Sequence, residues 1–230
     1  MIRRLAPLAL LAMAACSNDG TVTSELVAGF LLDEIAPGIL ADAPEEAAPA
    51  RELTRAELDQ IPFATIALSV EDSPRAFVVP LADNGGYLTY MDATRRGIVM
   101  QGGAITGTLG LGIDLNGVRN AANDPVARPT PLAEWPGQVY RNYQYKLRDG
   151  KEYSISLTCI FERVARERIE IVERRFEVVR IAETCTNRAR QVVNQHWVAP
   201  ETGFIWKTTQ WVSPQQPPLT VEIIRPYSPS

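Results

Sequence analysis

The last third of the chain alternates apolar and polar residues with a period of two. Tyr143, Tyr145 and Leu147 alternate with polar positions, and so do Tyr153, Ile155, Leu157, Cys159 and Phe161. A period of two sends successive side chains to opposite faces of a strand, so each run predicts a strand with one buried and one wet face. Arg148-Asp149-Gly150 joins the two runs as a hairpin. Arg168 to Glu173 with Phe176 to Ala182 predicts a second pair. Val192 to Val198 with Phe204 to Val212 predicts a third, joined through Pro200-Glu201-Thr202-Gly203. Leu219, Val221 and Ile223 make a last alternating strand.

Upstream, Phe63 to Val70 and Ala76 to Leu81 are apolar, partly β-branched runs broken by Asp72-Ser73-Pro74. Asn84-Gly85-Gly86 is a turn signal, since Asn and Gly tolerate positive φ. Tyr87 to Met91 and Gly97 to Gln101 then predict a hairpin, and the glycine-rich stretch Gly102 to Gly112 fits bulges and close backbone approach. Thr54-Arg55-Ala56-Glu57 is a capping box that starts a short helix running through Gln60. Ile113 to Asn123 reads as another short helix, and Pro125 to Pro136 as a loop. The sum is a mainly β fold over residues 53–230. We expect a largely antiparallel sheet of roughly ten strands, curved into a sandwich or barrel-like domain with two or three short helices.

The first residues carry a different pattern. Arg3 and Arg4 precede an apolar run from Leu5 to Ala15, too short to span a bilayer, and Ala14 and Ala15 are small. That is the form of a secretory signal over residues 1–15. Cys16 follows directly, which predicts a bacterial lipoprotein cut before Cys16 and acylated there. Met13 stands where such signals usually carry Leu, Val or Ile, and Ser17 in place of Asp favours passage to the outer membrane. Two or more acyl chains hold a protein firmly to a membrane, and no later segment is long and apolar enough to span one. Thr21 to Leu32, with Val22, Leu26, Val27 and Phe30 apolar, suits an amphipathic helix, and Asp33 to Glu52 is an Ala/Pro/Glu-rich spacer. Residues 16–52 are thus expected to be a lipid-anchored lead into the β domain.

Processing before Cys16 would leave 21 basic against 27 acidic residues and shift the net charge from −4 to −6. A mildly acidic chain is poorly suited to nucleic acid. Cys159 and Cys185 are the remaining cysteines, and in an exported, oxidising compartment a disulfide is the simplest pairing. Two buried thiols or a metal pair are the alternatives. The single histidine, His196, and the absence of Cys-x-x-Cys count against a metal site, and no cofactor motif stands out. Gly110-x-Gly112 lacks the third glycine of a dinucleotide loop.

Candidate chemistry is sparse. His196 lies in a strand whose parity allows it to face solvent or a groove; a structural or surface histidine is the better reading than a catalytic one, and no Gly-x-Ser-x-Gly accompanies it. A carboxylate pair for glycoside hydrolysis has no distinguishing spacing. Asp114 is its best candidate only because it follows the glycine-rich run, and a turn or helix-capping role is the preferred reading. Trp206 and Trp211 have opposite parity in one strand, so at least one is expected at the surface as a stacking ring for sugar or a partner. Large aromatics more often fill cores. Arg163 to Arg175, dense in alternating charge, reads as solvated strand edges. Cys16 for lipidation, Cys159 and Cys185 for a disulfide, and Trp206, Trp211, His196 and Asp114 for binding are therefore the candidate site residues.

Several of these segments resemble the YjbF/GfcB family of bacterial lipoproteins, the group 4 capsule polysaccharide lipoproteins. The pieces are the Thr54-Arg55 helix start, Asn84-Gly85-Gly86, and Thr108-Leu109-Gly110-Leu111-Gly112-Ile113-Asp114-Leu115, where the family usually has a basic residue at Leu109. The placement of Cys159 and Cys185 matches as well. The most specific run is Asn194-Gln195-His196-Trp197, then Gly203-Phe204-Ile205-Trp206-Lys207 and Gln210-Trp211-Val212. The family often has an aromatic at His196. The resemblance implies a mainly antiparallel β lipoprotein at the outer membrane, facing the periplasm or exposed at the surface. It implies a role in capsule or exopolysaccharide production and export beside an outer-membrane partner, with no catalytic residues to carry over. The first expectation is therefore a non-enzymatic accessory lipoprotein that binds the polymer or a partner protein. A carboxylate-dependent polysaccharide-modifying enzyme and a lipid or lipoprotein carrier are the alternatives.

Overall fold

The computed structural model describes residues 53–228, apart from residues 72, 93, 94 and 148. The signal segment, Cys16, the helix expected over Thr21 to Leu32 and the spacer lie outside the described residues. Helix α1 (Arg55–Gln60) opens the described chain. Its first turn is held by the expected box: Thr54 N donates to Glu57 Oε2 at 2.8 Å, and Glu57 N donates back to Thr54 Oγ1 at 3.4 Å. Among the described residues, no helix is long and apolar enough to cross a membrane.

Twelve strands follow. They are β1 (Thr65–Val70), β2 (Ala76–Asp83), β3 (Tyr87–Met91), β4 (Gly97–Gln101), β5 (Ala104–Leu109) and β6 (Leu115–Asn120). After a 3₁₀ turn at Leu132–Glu134 come β7 (Gln138–Lys146), β8 (Glu152–Ile171), β9 (Arg174–Thr186), β10 (Gln191–Val198), β11 (Ile205–Gln210) and β12 (Leu219–Arg225). They form one antiparallel sheet in the order β5-β4-β3-β2-β1-β12-β11-β10-β9-β8-β7-β6. Sequence neighbours are sheet neighbours except β5 and β6, and β1 pairs with β12. The two outer strands of that order, β5 and β6, are consecutive in the chain and lie against each other. The sheet is thus nearly closed into a barrel. Side chains stitch the seam: Leu115 N donates to Thr108 Oγ1 at 2.8 Å.

The alternating residues face inward as their parity requires. Tyr143, Tyr145, Leu157, Cys159 and Cys185 join Ile66, Ile98, Trp211 and Val221 in the main core. Tyr145 buries its ring and donates its hydroxyl to the Val212 carbonyl at 2.8 Å.

The segment Ile113–Asn123 is not a helix. It contains β6, paired with β7 through a register shift between Leu115 and Gly117. The extra residue puts Leu115 and Val118 on the same inward face three positions apart, a spacing that imitates one helical turn. A bulge also explains the second difference. Tyr153 to Phe161 and Arg168 to Ile171 belong to a single strand, β8, of 20 residues, and Val172 and Glu173 form the turn that follows it. The shift between Arg163 and Ala165 breaks its alternation in the middle.

Past that bulge β8 and β9 leave their outer neighbours, since β7 pairs only as far as Ile160 and β10 only as far as Val179. Arg163 to Arg175, read as solvated edges, therefore runs along one strand and round the tip of a two-stranded arm. The arm packs on the barrel: Phe176 stacks on Trp206 with ring centroids 3.9 Å apart. Its tip residues Val172 and Glu173 both have positive φ, as a two-residue hairpin turn demands. The tip docks on α1, where Arg174 pairs with Asp59 at 3.2 Å.

Candidate functional site

One barrel end is closed by residues 121–137. Val126, Ala127 and Leu132 of this segment complete a second core with Val179, Ile181, Val198 and Ile205. Gly103 N donates to Val126 O at 2.8 Å, and Leu132 N to Pro200 O at 2.9 Å, so the segment is tied to the turns after β4 and β10. Gly203 has φ +72, and a Cβ there would run into the Thr130 carbonyl. The approach of two backbones at that point requires glycine.

A line of buried polar groups begins beneath this closure. Arg141, on the inward face of β7, donates from Nε to Asp124 Oδ2 at 2.6 Å and from Nη2 to Asp124 Oδ1 at 2.9 Å. Its Nη1 meets the Glu183 carboxylate at 2.7 Å. Asn194 Nδ2 donates to Glu183 Oε2 at 2.8 Å, and His196 Nε2 donates to the same oxygen at 3.0 Å. The His196 Nδ1 lies 2.8 Å from the Thr208 hydroxyl, which donates to Gln195 O at 3.2 Å. Gln210 continues the line, donating from Nε2 to Thr208 Oγ1 at 2.9 Å and to Gly103 O at 2.7 Å and accepting from Ile105 N at 3.2 Å. The chain of contacts thus crosses the barrel from the 121–137 segment to β5.

Burial alone would raise the Glu183 carboxyl. Arg141, helped by His196 and Asn194, outweighs it and holds the group down at about 2. Burial pulls the Arg141 guanidinium the other way, and its two carboxylates keep it charged well above its ordinary range. Every member is committed to a partner and buried. The arrangement suits a structural clamp, because a general acid or base needs reach to a substrate.

Cys159 and Cys185 stand opposite each other in the β8–β9 ladder and are joined as a disulfide. Their sulfurs lie within 4.8 Å of a Glu183 carboxylate oxygen. Bonded to each other, they offer no thiolate to a metal ion.

The expected binding residues occupy different places. His196 faces inward and is fully buried, not toward solvent or a groove. Trp211 lies just past the end of β11 and is buried against Tyr143, ring centroids 5.2 Å apart. Trp206 is the extra residue of a bulge opposite Trp197 and Val198, and it sits half-buried between Phe176 and Phe204. Neither indole is an exposed ring, because the bulge resets the parity between them and the β8–β9 arm covers Trp206. Asp114 is a turn residue. It accepts from Thr108 Oγ1 at 3.0 Å, Leu111 N at 3.0 Å and Gly110 N at 2.9 Å, and so shapes the β5–β6 connection.

That connection borders a cleft of about 600 Å³. Leu111 and Ile113 come from the β5–β6 turn, Leu147 and Asp149 from the β7–β8 turn, and Gln215 and Gln216 from the β11–β12 connection. All three follow odd-numbered strands, so the cleft lies at the barrel end opposite the 121–137 closure. Lys151, hydrogen-bonded to Asp149 through its ammonium at 2.9 Å and its backbone N at 3.1 Å, holds that carboxyl below its usual range.

The sequence reading passed over Arg141, Asp124 and Glu183. The signal was available for two of them: Arg141 shares its parity with Val139, Tyr143 and Tyr145, and Glu183 shares its own with Ile181 and Cys185. A charge at an inward position needs a buried partner. Asp124 sits in a loop and carries no such periodic mark.

An up-and-down sheet nearly closed into a barrel, clamped at one end and carrying a cleft at the other, defines an antiparallel β-barrel protein. The family model of the group 4 capsule polysaccharide lipoprotein gfcB, YjbF, matches residues 27–224, and the chain belongs to that family. Among solved structures, the chain is similar to the hypothetical lipoprotein YmcC from Escherichia coli (K12). The TM-score is 0.65 at 22% identity, over 76% of this chain and 90% of that one. At that identity the likeness shows the fold. A search of curated proteins gave no match.

Proposed function

We propose that the protein is a non-enzymatic accessory lipoprotein of capsule or exopolysaccharide assembly or export. It is anchored in the outer membrane through acylated Cys16, with the barrel facing the periplasm. It works beside an export partner protein, and the barrel supplies a rigid surface for the polymer or for that partner. The family match over residues 27–224 carries this reading. The committed state of the inward carboxylates supports a non-catalytic role, as Asp124 and Glu183 are locked on Arg141 and Asp114 is engaged in three turn contacts.

Two measurements test it. Mass spectrometry of protein from the membrane fraction is expected to show acylated Cys16 as the first residue; an unmodified amino terminus there refutes the anchor. Incubating the extracted polymer with the protein is expected to leave its length and linkages unchanged, and shortened or modified chains would establish an enzyme.

A further inference from the structure

We propose that the outer face of β7 to β10 is a docking surface for an uncharged, hydroxyl-rich stretch of a glycan chain, with the Tyr140 ring as its stacking platform. This inference rests on the accessory reading and names the surface that role would use.

The outward positions of these four strands alternate over Gln138 to Gln144, Ser154 to Ile160, Ala182 to Thr186 and Gln191 to Gln195. None of them is Asp, Glu, Lys or Arg, in a chain of which 22% of the residues are charged. Charge returns at the margins, with Lys146 paired to Glu152 beyond one edge and Glu162 beyond the other. A face without charge offers no counter-ion to an ionic ligand or a charged lipid headgroup, and it complements a partner that is itself uncharged.

Three apolar side chains stand out from this face. Tyr140 is 54%, Ile160 52% and Val193 46% exposed. Thr158 lies opposite Tyr140, while Ile160, Thr184 and Val193 lie level across β8, β9 and β10. The apolar groups thus form a broken line that crosses the strands, with hydroxyls between and beside them. Among the described residues, no hydrogen bond engages the side chains of Tyr140, Thr158, Thr184 or Thr186. Each of those hydroxyls is able to donate and to accept. A sugar ring has C–H faces and a rim of hydroxyls, so exposed apolar groups flanked by free hydroxyls match both parts of it. An acyl chain would leave the hydroxyls unused.

Size decides between a glycan and a protein partner. Strands about 4.8 Å apart, with outward residues about 7 Å apart along each, give a patch of about 20 by 20 Å, or ~400 Å². Stable protein pairs bury roughly 800 Å² on each partner. A second copy of this chain would have to reach over the charged margins, whereas a row of sugar rings lies along the line from Tyr140 to Val193 inside the patch. The platform is also rigid, because the Cys159–Cys185 disulfide ties β8 to β9 on the other side of the same sheet. A preformed surface lowers the ordering cost of binding.

The test uses the full chain in detergent micelles and surface polysaccharide extracted from the producing cell, in sodium chloride at ~50 mM and ~500 mM. Binding is expected at both, with a difference of less than about twofold, because no charge takes part. Tyr140→Ala and Ile160→Glu should each weaken binding about fivefold or more, with melting temperatures within about 2 °C of the wild type. Leu81→Ala, exposed on β2, should bind as the wild type does. The proposal is overturned if the wild type does not bind, if both face variants bind normally, or if binding falls about tenfold or more at the higher salt. Sedimentation of the free protein should show a single copy, and a dimer that Ile160→Glu dissociates would give the face to a second copy and overturn the proposal as well. Loss of surface polysaccharide on gene deletion, with no binding by the wild type, refutes the docking face and leaves the accessory role standing. Binding without any effect of deletion does the reverse.

Discussion

Arg141 grips Asp124 through two parallel hydrogen bonds of 2.6 and 2.9 Å, and this grip fastens the 121–137 closure to the barrel wall. The same guanidinium meets Glu183 on β9, so one cation serves two carboxylates that have no access to water. Removing one partner of such a buried set leaves the others charged in a poor solvent. Arg141→Met is therefore expected to destabilise the fold by about 3–5 kcal/mol. Urea denaturation measures this, and a midpoint close to that of the wild type would contradict the clamp.

Glu183 makes the clamp acid-sensitive. Its carboxyl is held at about 2 in the folded chain against an ordinary value of 4.5. A depressed carboxyl stabilises the fold above the unfolded value, and that stabilisation is lost as pH falls through the folded one. Stability should fall between about pH 4.5 and pH 2, by an amount on the order of 3 kcal/mol from this group. Glu183→Gln should be less stable at neutral pH and flatter across that window. Parallel profiles for the two proteins would contradict the assignment.

The disulfide joins the consecutive strands β8 and β9 through cysteines 26 residues apart. Peptide mapping without reductant should find Cys159 joined to Cys185, and two alkylatable thiols would refute the pairing. Its loss should cost roughly 3 kcal/mol for a sequence separation of 26 residues, measured as a shift in urea midpoint after reduction.

Gly203 sets the closeness of the β10–β11 turn to the closure. Gly203→Ala should cost at least about 2 kcal/mol, because it strains a left-handed backbone and meets the Thr130 carbonyl. Hydrogen exchange should show the loss concentrated at Leu132 N, which is bonded to Pro200 O. Unchanged protection there would argue against the contact.

Much of this barrel is written in the alternation of its strands. Tyr143, Tyr145, Leu157 and Cys159 face inward as their parity says. The sequence misleads where a bulge inserts one residue. At β6 the bulge spaces Leu115 and Val118 like a helical turn, within β8 it splits one strand into two, and at Trp206 it upsets the parity expected between Trp206 and Trp211. A local pattern holds no mark for a bulge, because the extra residue is defined by the partner strand. The cleft has the same difficulty. Leu111, Leu147 and Gln216 come from three separated turns, and only barrel closure brings them together.

The central claim is an accessory role in surface polysaccharide that depends on the anchored barrel. Surface polysaccharide should be quantified in a deletion strain carrying no copy, the wild type, or Cys16→Ser. The account predicts reduced polymer without the gene, restoration by the wild type and no restoration by Cys16→Ser. Unchanged polymer in the deletion strain would contradict it.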